Sequence, residues 1–182
     1  MDATKSLLPL PIFPATALAR VIRPALATLP ARMTSAPAEV MILAIMLQES
    51  RLAHRWQVVD LKRPEVKGPA RGLAQFELGT QVSRGGVWGI YQHAASRTYL
   101  QRACAARGVA FEPRAIWLAL ERDDILAAVC ARLLLWTDPQ ALPALDDSGT
   151  AWALYIRTWR PGKPKPETWT GNYRTALQAV AP

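Results

Sequence analysis

An uninterrupted apolar run predicts a buried helix near the start of the chain. Eight consecutive apolar residues, Val40 to Leu47, leave no polar face, which is typical of a helix surrounded by the protein core. Ser35 precedes the run as a candidate N-cap, and Glu39 would lie in the first turn, where acidic residues are favoured. Two residues after the run comes Glu49, so a carboxylate is predicted at the carboxyl end of a buried helix.

Helical spacing of apolar residues returns in the second half of the chain. It predicts a helix from Gln92 to a C-cap at Gly108, and then two helices over residues 113–136 that meet near 122–124. After a loop over 138–147, a helix with Asp147 or Ser148 as cap and a last helix capped by Thr170 are expected.

The remaining segments lack this periodicity. Residues 57–91 are rich in glycine and are predicted to form loops with short turns. Residues 1–32 are rich in Pro, Leu and Ala, and we expect an N-terminal arm with one short helix over about 15–23, packing on the domain or partly flexible. No strand-like alternation of convincing length appears, so the prediction is a mainly α fold with one domain over residues 33–182.

The charge favours an anionic partner without naming it. The net charge of +8 suits nucleic acid, anionic lipid or an acidic cell-wall polymer. The basic residues are scattered, with no run of five or six, which disfavours a nucleic-acid-binding tail. A basic helical nucleic-acid-binding domain stays open as an alternative, supported by this charge and by the arginines over residues 97–107.

Neither a metal nor a secretory signal is indicated. Cys104 and Cys130 lack metal-ligand spacing, and two small buried side chains are favoured over a disulfide. We expect no metal and no cofactor. Prolines at 9, 11 and 14 interrupt the first apolar stretch, and no stretch approaches the roughly 18 apolar residues of a membrane span. The chain is expected to be made in the cytoplasm, with any export supplied from elsewhere.

Glu49 is the first candidate catalytic residue. Burial and the negative end of the helix dipole both disfavour a charged carboxylate, so both raise its pKa. A carboxylic acid that stays protonated near neutral pH can act as a general acid on a poor leaving group such as a glycosidic oxygen. The alternative is a glutamate that simply emerges into solvent at the helix end.

A second motif lies in the glycine-rich segment. In "GLAQF", residues 72–76, a tight loop would present the amide of Gln75, which can both donate and accept hydrogen bonds, although a buried turn would explain it too. Together, Gln48-Glu49-Ser50 and this loop resemble the "ES … GLMQ" signature of the soluble lytic transglycosylases and goose-type lysozymes. The resemblance implies a lysozyme-like fold with a buried central helix and a loop-rich middle region.

A third stretch extends the resemblance to about residues 36–177. "AWALYIRTWRPGKPKPETWTGNY" is similar to the family's "AAYNAGPG … ET … YV" region, which places Tyr155 in the site. Ile156 stands where the family usually has Asn, so sugar contacts there are in doubt. Trp159 offers a face for sugar stacking, or else packs as a core or lid residue, and Arg160 offers donors to muropeptide carboxylates or carbonyls. The stretch "RTWRPGKP" is most similar to phage or prophage versions of the domain.

The resemblance implies cleavage of peptidoglycan. In this family one Glu, here Glu49, protonates the β-1,4 bond between N-acetylmuramic acid and N-acetylglucosamine, then acts as base on the muramyl 6-hydroxyl to give a 1,6-anhydro product. A hydrolytic lysozyme instead needs a second carboxylate. Candidates are Asp60, Glu65 and Glu77, of which Glu77 is the one most expected to line a cleft.

The other predicted substrate-binding residues are Ser50, Gln75, Phe76, Glu77, Tyr155, Trp159 and Arg160. Ser50 would orient the substrate or the acid, or would bond its own backbone. His54 is interpreted as a surface or packing residue. Peptidoglycan is the expected partner of a monomer that acts in the periplasm or wall after release or delivery. An inactive wall-binding or virion protein of the same fold is the alternative that Ile156 keeps open.

Overall fold

The computed structural model describes residues 7–181, and its fold is mainly α, as predicted, with 57% helix and 5% strand. Short helical elements come first: α1 (Pro14–Ala17), a π-helical turn (Leu18–Ile22), α2 (Arg23–Ala27) and a 3-10 turn (Ala31–Met33). The longer part of the chain forms α3 (Ala36–Ser50), β1 (Trp56–Val58), β2 (Lys67–Arg71), α4 (Gly86–Gln92), α5 (Ala94–Ala106), α6 (Pro113–Ala119), α7 (Asp124–Trp136), α8 (Ser148–Trp159) and α9 (Pro166–Val180).

The apolar run forms the buried helix α3. Ser35 caps it as predicted, because its side chain accepts a 3.2 Å hydrogen bond from the backbone of Ala38. The helix packs against α9 and α7, and its side chains from Val40 to Met46 are buried. It ends where Arg51 and Leu52 both take left-handed backbone angles, with φ of 55° and 56°. The last turn, with Glu49, is therefore held at a sharp reversal of the chain.

The N-terminal segment contributes to the same core. The helical stretch runs over residues 14–27, longer than the short helix predicted, and it buries Leu18, Val21, Ile22 and Leu26. The π-helical turn contacts α3 and α7, and α1 contacts α9. The boundary between an arm of residues 1–32 and a domain of 33–182 stays a prediction, and residues 1–6 lie outside the described residues.

The glycine-rich middle is more regular than predicted. Strands β1 and β2 pair antiparallel, with Trp56 opposite Arg71, and α4 follows over residues 86–92. The prediction of loops alone was wrong for α4, because its glycines are packing positions. A Cβ on Gly89 would lie 2.5 Å from the carbonyl oxygen of Arg84, so only glycine lets the chain pass there.

The C-terminal helices follow the prediction except at one start. Residues 113–136 form two helices, and Asp123 caps the second one by accepting a 3.0 Å bond from the backbone of Leu126. Asp147 caps α8 in the same way, through Thr150 at 2.8 Å. The start of α9 at Thr170 was wrong, since the helix begins at Pro166, a residue type favoured in the first turn.

Two further expectations concern cysteines and membrane spans. Cys104 and Cys130 are buried and free, as small core side chains. Burial raises the pKa of the Cys104 thiol to about 11 and that of Cys130 well above its ordinary value. Within residues 7–181 no helix has both the length and the apolar character needed to cross a bilayer.

Candidate active site

A cleft of about 700 Å³ lies at the carboxyl end of α3, a size typical of ligand sites. Its walls are formed by the loop of residues 72–76, called the Gln75 loop below, by the end of α8 and by residues 160–165. Its polar and aromatic lining residues include Gln48, Glu49, Gln75, Phe76, Glu77, Tyr155, Trp159, Arg160, Lys163 and Lys165. Apart from Ser50, all of the predicted site residues thus lie around one cavity together with Glu49.

Glu49 has the electrostatic character predicted from its place on the helix. Its pKa is raised to about 7, mainly because burial disfavours the charged form. The negative charge of Glu77 raises the pKa further, whereas the hydrogen bond from Tyr155 and the ammonium of Lys165 lower it. The carboxyl is therefore about half protonated near neutral pH.

Tyr155 fixes the position of the acid. Its phenol donates a 2.5 Å hydrogen bond to Oε1 of Glu49. The tyrosine is 3% exposed, and its ring stacks on Trp169 at 5.2 Å between centroids with 14° between planes. Burial, together with the neighbouring carboxyl, raises the pKa of the phenol far above its ordinary value, so the hydroxyl keeps its proton and remains a donor.

Gln48 is a site residue whose role sequence reasoning missed. Its Oε1 accepts hydrogen bonds from Thr168 at 3.0 Å and from Asn172 at 2.7 Å, and its Nε2 donates to the carbonyl of Lys165 at 3.0 Å. These bonds join the end of α3 to the start of α9 and hold the backbone of Lys165 beside the cleft. The spacing of Thr168 and Asn172, one helical turn apart, was the available signal.

The Gln75 loop is pinned to α8. Gln75 takes a left-handed φ of 50°, and its Nε2 donates to the carbonyl of Gly72 at 2.8 Å. The indole of Trp159 donates to the carbonyl of Ala74 at 2.9 Å and meets the ring of Phe76 edge to face at 5.5 Å. Both aromatic residues line the cleft while they also pack the loop onto the helix.

Among the three candidates for a second carboxylate, Glu77 is the one that lines the cleft. Asp60 is paired with Arg63 at 2.9 Å, which lowers its pKa, and Glu65 is exposed away from the cavity. The cleft also carries three cations, at Arg160, Lys163 and Lys165, so its charge is mixed.

The structure does not bring Ser50 into the cleft. Its hydroxyl donates to the carbonyl of Met46 at 3.0 Å and accepts from the backbone of Leu52 at 3.2 Å, and the residue is 3% exposed. Ser50 therefore stabilises the end of α3, as the alternative interpretation held. Ile156 is half-buried against the core and His54 is exposed, and neither lines the cleft.

No protein-family model, curated protein or solved structure matches this chain.

The arrangement is suited to acid catalysis. A carboxylic acid that is half protonated near neutral pH is held by a neutral phenol in a cleft large enough for a ligand. Over residues 7–181 no cluster of three or more His, Cys, Asp or Glu side chains offers a metal site. The Glu49 carboxyl is able to exchange a proton with a molecule bound in the cleft.

Proposed function

We propose that this protein cleaves the β-1,4 bond between N-acetylmuramic acid and N-acetylglucosamine in peptidoglycan, with Glu49 as general acid and base. The observation that carries the proposal is the Glu49 carboxyl, whose pKa is about 7, inside a cleft of about 700 Å³. The motifs shared with soluble lytic transglycosylases support the choice of substrate. The lysozyme-like fold belongs to the same proposal.

In the proposed first step, Glu49 donates its proton to the glycosidic oxygen while the bond from that oxygen to the muramyl C1 breaks. Because Tyr155 donates to Oε1, the transferable proton of Glu49 is carried by Oε2. The substrate's own acetamido group stabilises the positive charge that develops at C1. No second carboxylate is needed for this step.

In the proposed second step, the Glu49 carboxylate takes the proton of the muramyl 6-hydroxyl, and the 6-oxygen bonds to C1. The product is a 1,6-anhydro-muropeptide, and Glu49 returns to its protonated form. A pKa of about 7 suits both steps, because the same group must give and take a proton at one pH.

A peptidoglycan zymogram with purified protein tests the proposal. The native chain should clear the gel and Glu49→Gln should not, since glutamine cannot transfer the proton. Glu65→Gln is the matched control, because Glu65 is exposed and lies outside the cleft. Clearing by Glu49→Gln would disprove the catalytic assignment. Wall binding without clearing by the native chain would favour an inactive binding or virion protein.

A hydrolytic muramidase is the second candidate, and the position of Glu77 in the same cleft favours it. A second carboxylate could activate water or act as nucleophile. Mass analysis of digested peptidoglycan separates the two reactions, because anhydro and reducing-end products differ by one water. We propose the transglycosylase first because its two steps need Glu49 alone, whereas a hydrolase would need a second carboxylate.

The proposed place of action is the periplasm or cell wall, which a monomer made in the cytoplasm would reach after release from the cell or delivery by a virion. Fractionation of expressing cells, with wall-bound and cytoplasmic protein measured separately, tests this part of the proposal.

A further inference from the structure

A second cavity of about 410 Å³ adjoins the cleft. The two cavities share Leu134 and Arg160 in their linings, so the second one extends the cleft along α8. The remaining charged or titratable residues around it are Arg84, His93, Asp138 and Arg157. Its volume falls within the range of about 300–1,000 Å³ that is typical of small-ligand pockets.

Its charge is positive and only partly balanced. Arg157 is neutralised within the cavity, because it donates to both carboxylate oxygens of Asp138, at 2.6 and 3.1 Å, and to Gln140 at 2.7 Å. Arg84 and Arg160 have no carboxylate partner in the described part of the chain. Two guanidinium groups are therefore available where the cavities meet.

The backbone at both arginines is unusual. Arg84 and Arg160 have φ of 51° and 49°, a left-handed conformation that is disfavoured for a residue other than glycine. Arg160 Nη2 also donates to the carbonyl of Arg84 at 3.4 Å, so the loop before α4 and the end of α8 are joined there. The two guanidinium groups thus come from two positions of the rim that one hydrogen bond joins.

We propose that the second cavity binds a carboxylate of the peptide that muramic acid carries. This inference rests on the proposed function. A peptide-bearing strand has neutral N-acetylated sugars along its backbone, which offer arginine no opposite charge, whereas the attached peptide carries free carboxylates. Guanidinium groups bind carboxylates through two parallel hydrogen bonds, so Arg84 and Arg160 select strands whose peptide carboxylates are free over strands in which these groups are amidated.

Equilibrium binding to the full chain carrying Glu49→Gln tests this inference without cleavage. The two probes are the disaccharide-peptide of peptidoglycan and the same molecule with its peptide carboxylates converted to amides. The unmodified probe should bind about three- to tenfold more tightly, as expected for exposed charge-assisted pairs. Adding Arg84→Asn should reduce this preference, because asparagine tolerates the left-handed backbone but lacks the guanidinium, and Arg160 alone remains.

Arg51→Asn is the matched control. Arg51 is also exposed, with a left-handed φ of 55°, but it lines neither cavity, so its replacement should leave the preference intact. Equal binding of the two probes, or a preference of unchanged size in Arg84→Asn, would overturn the inference and leave the proposed function standing. Binding of neither probe would also overturn it, and the zymogram of the native chain then decides the proposed function separately.

Discussion

The phenol of Tyr155 donates a 2.5 Å hydrogen bond to Oε1 of Glu49 across 106 residues of sequence. The bond holds the carboxyl in one orientation, and it opposes the effect of burial, because a donor to a carboxylate favours the charged form. Burial has the larger effect, so the pKa stays raised. The pKa of Glu49 thus results from opposing effects, and single substitutions can shift it in either direction.

Tyr155→Phe should raise the pKa of Glu49 above about 7, because the bond that favours the carboxylate is lost. The high-pH limb of the profile of kcat/KM on peptidoglycan should move to higher pH. Its maximum should fall about ten- to hundredfold, since the acid is no longer oriented. Tyr173→Phe is the control, because Tyr173 is buried on α9 and bonds Ala144 instead of Glu49. A limb that moves to lower pH contradicts the assigned balance.

Lys165→Met should also move the high-pH limb upward, because the Lys165 ammonium stabilises the Glu49 carboxylate. The same profile of kcat/KM against pH measures the shift. Lys163→Met removes an equal charge from the cleft lining at a residue that has no assigned effect on Glu49. If both variants shift the limb equally, the effect belongs to the general charge of the cleft.

Glu77→Gln should move the high-pH limb of the kcat/KM profile in the opposite direction. The charge of Glu77 raises the pKa of Glu49, so its removal lowers that pKa and moves the high-pH limb downward. Mass analysis should still find 1,6-anhydro products. A loss of activity greater than about a hundredfold, with reducing-end products from the native chain, would instead make Glu77 the second carboxylate of a hydrolase.

Glu49→Gln should change how stability depends on pH. The native carboxyl keeps its proton up to about pH 7, whereas in the unfolded chain it loses it near 4.5. The free energy of unfolding therefore falls as pH rises through this window. Glutamine does not titrate in this range. The free energy of unfolding of the variant, relative to that of the native protein, should therefore be about 2–3 kcal/mol higher at pH 8 than at pH 4. Urea unfolding at both pH values measures this. A constant difference would mean that Glu49 titrates normally.

Gln48→Ala should lower the free energy of unfolding by about 1–3 kcal/mol, because the hydrogen bonds between α3 and α9 are lost. Chemical denaturation measures the change, and Gln101→Ala at an exposed position of α5 provides the control. Because Gln48 also holds the backbone of Lys165, the high-pH limb should shift in the same direction as in Lys165→Met. Loss of stability without that shift would show that Lys165 is positioned independently.

Local sequence signals predicted the helices but not the contacts between them. The Ser35 cap and the apolar run were sufficient for α3, and Asp147 for α8, because caps and burial act within a few residues. The bonds from Tyr155 to Glu49 and from Asn172 to Gln48 span 106 and 124 residues, and no local pattern encodes such a pairing.

Other differences have equally specific causes. The helix α4 was missed because Gly86 and Gly89 resemble breakers, whereas close backbone contacts require them. The sequence could not show whether the Ser50 hydroxyl bonds the backbone of its own helix or faces the site, since both depend on where one hydroxyl points. The resemblance to the family motifs indicated Gln75 and Tyr155, and both residues line one cleft with Glu49.

The long separation between Glu49 and its neighbours also matters for how the chain is made. Synthesis proceeds from the N-terminus, so Glu49 emerges well before Tyr155, Lys165 and Asn172. Until α8 and α9 have been made and have packed, the Glu49 carboxyl lacks both the burial that raises its pKa and the phenol that lowers it. A nascent chain on the ribosome therefore carries only an ordinary solvated glutamate, and the raised pKa of Glu49 is established only when the last two helices have folded.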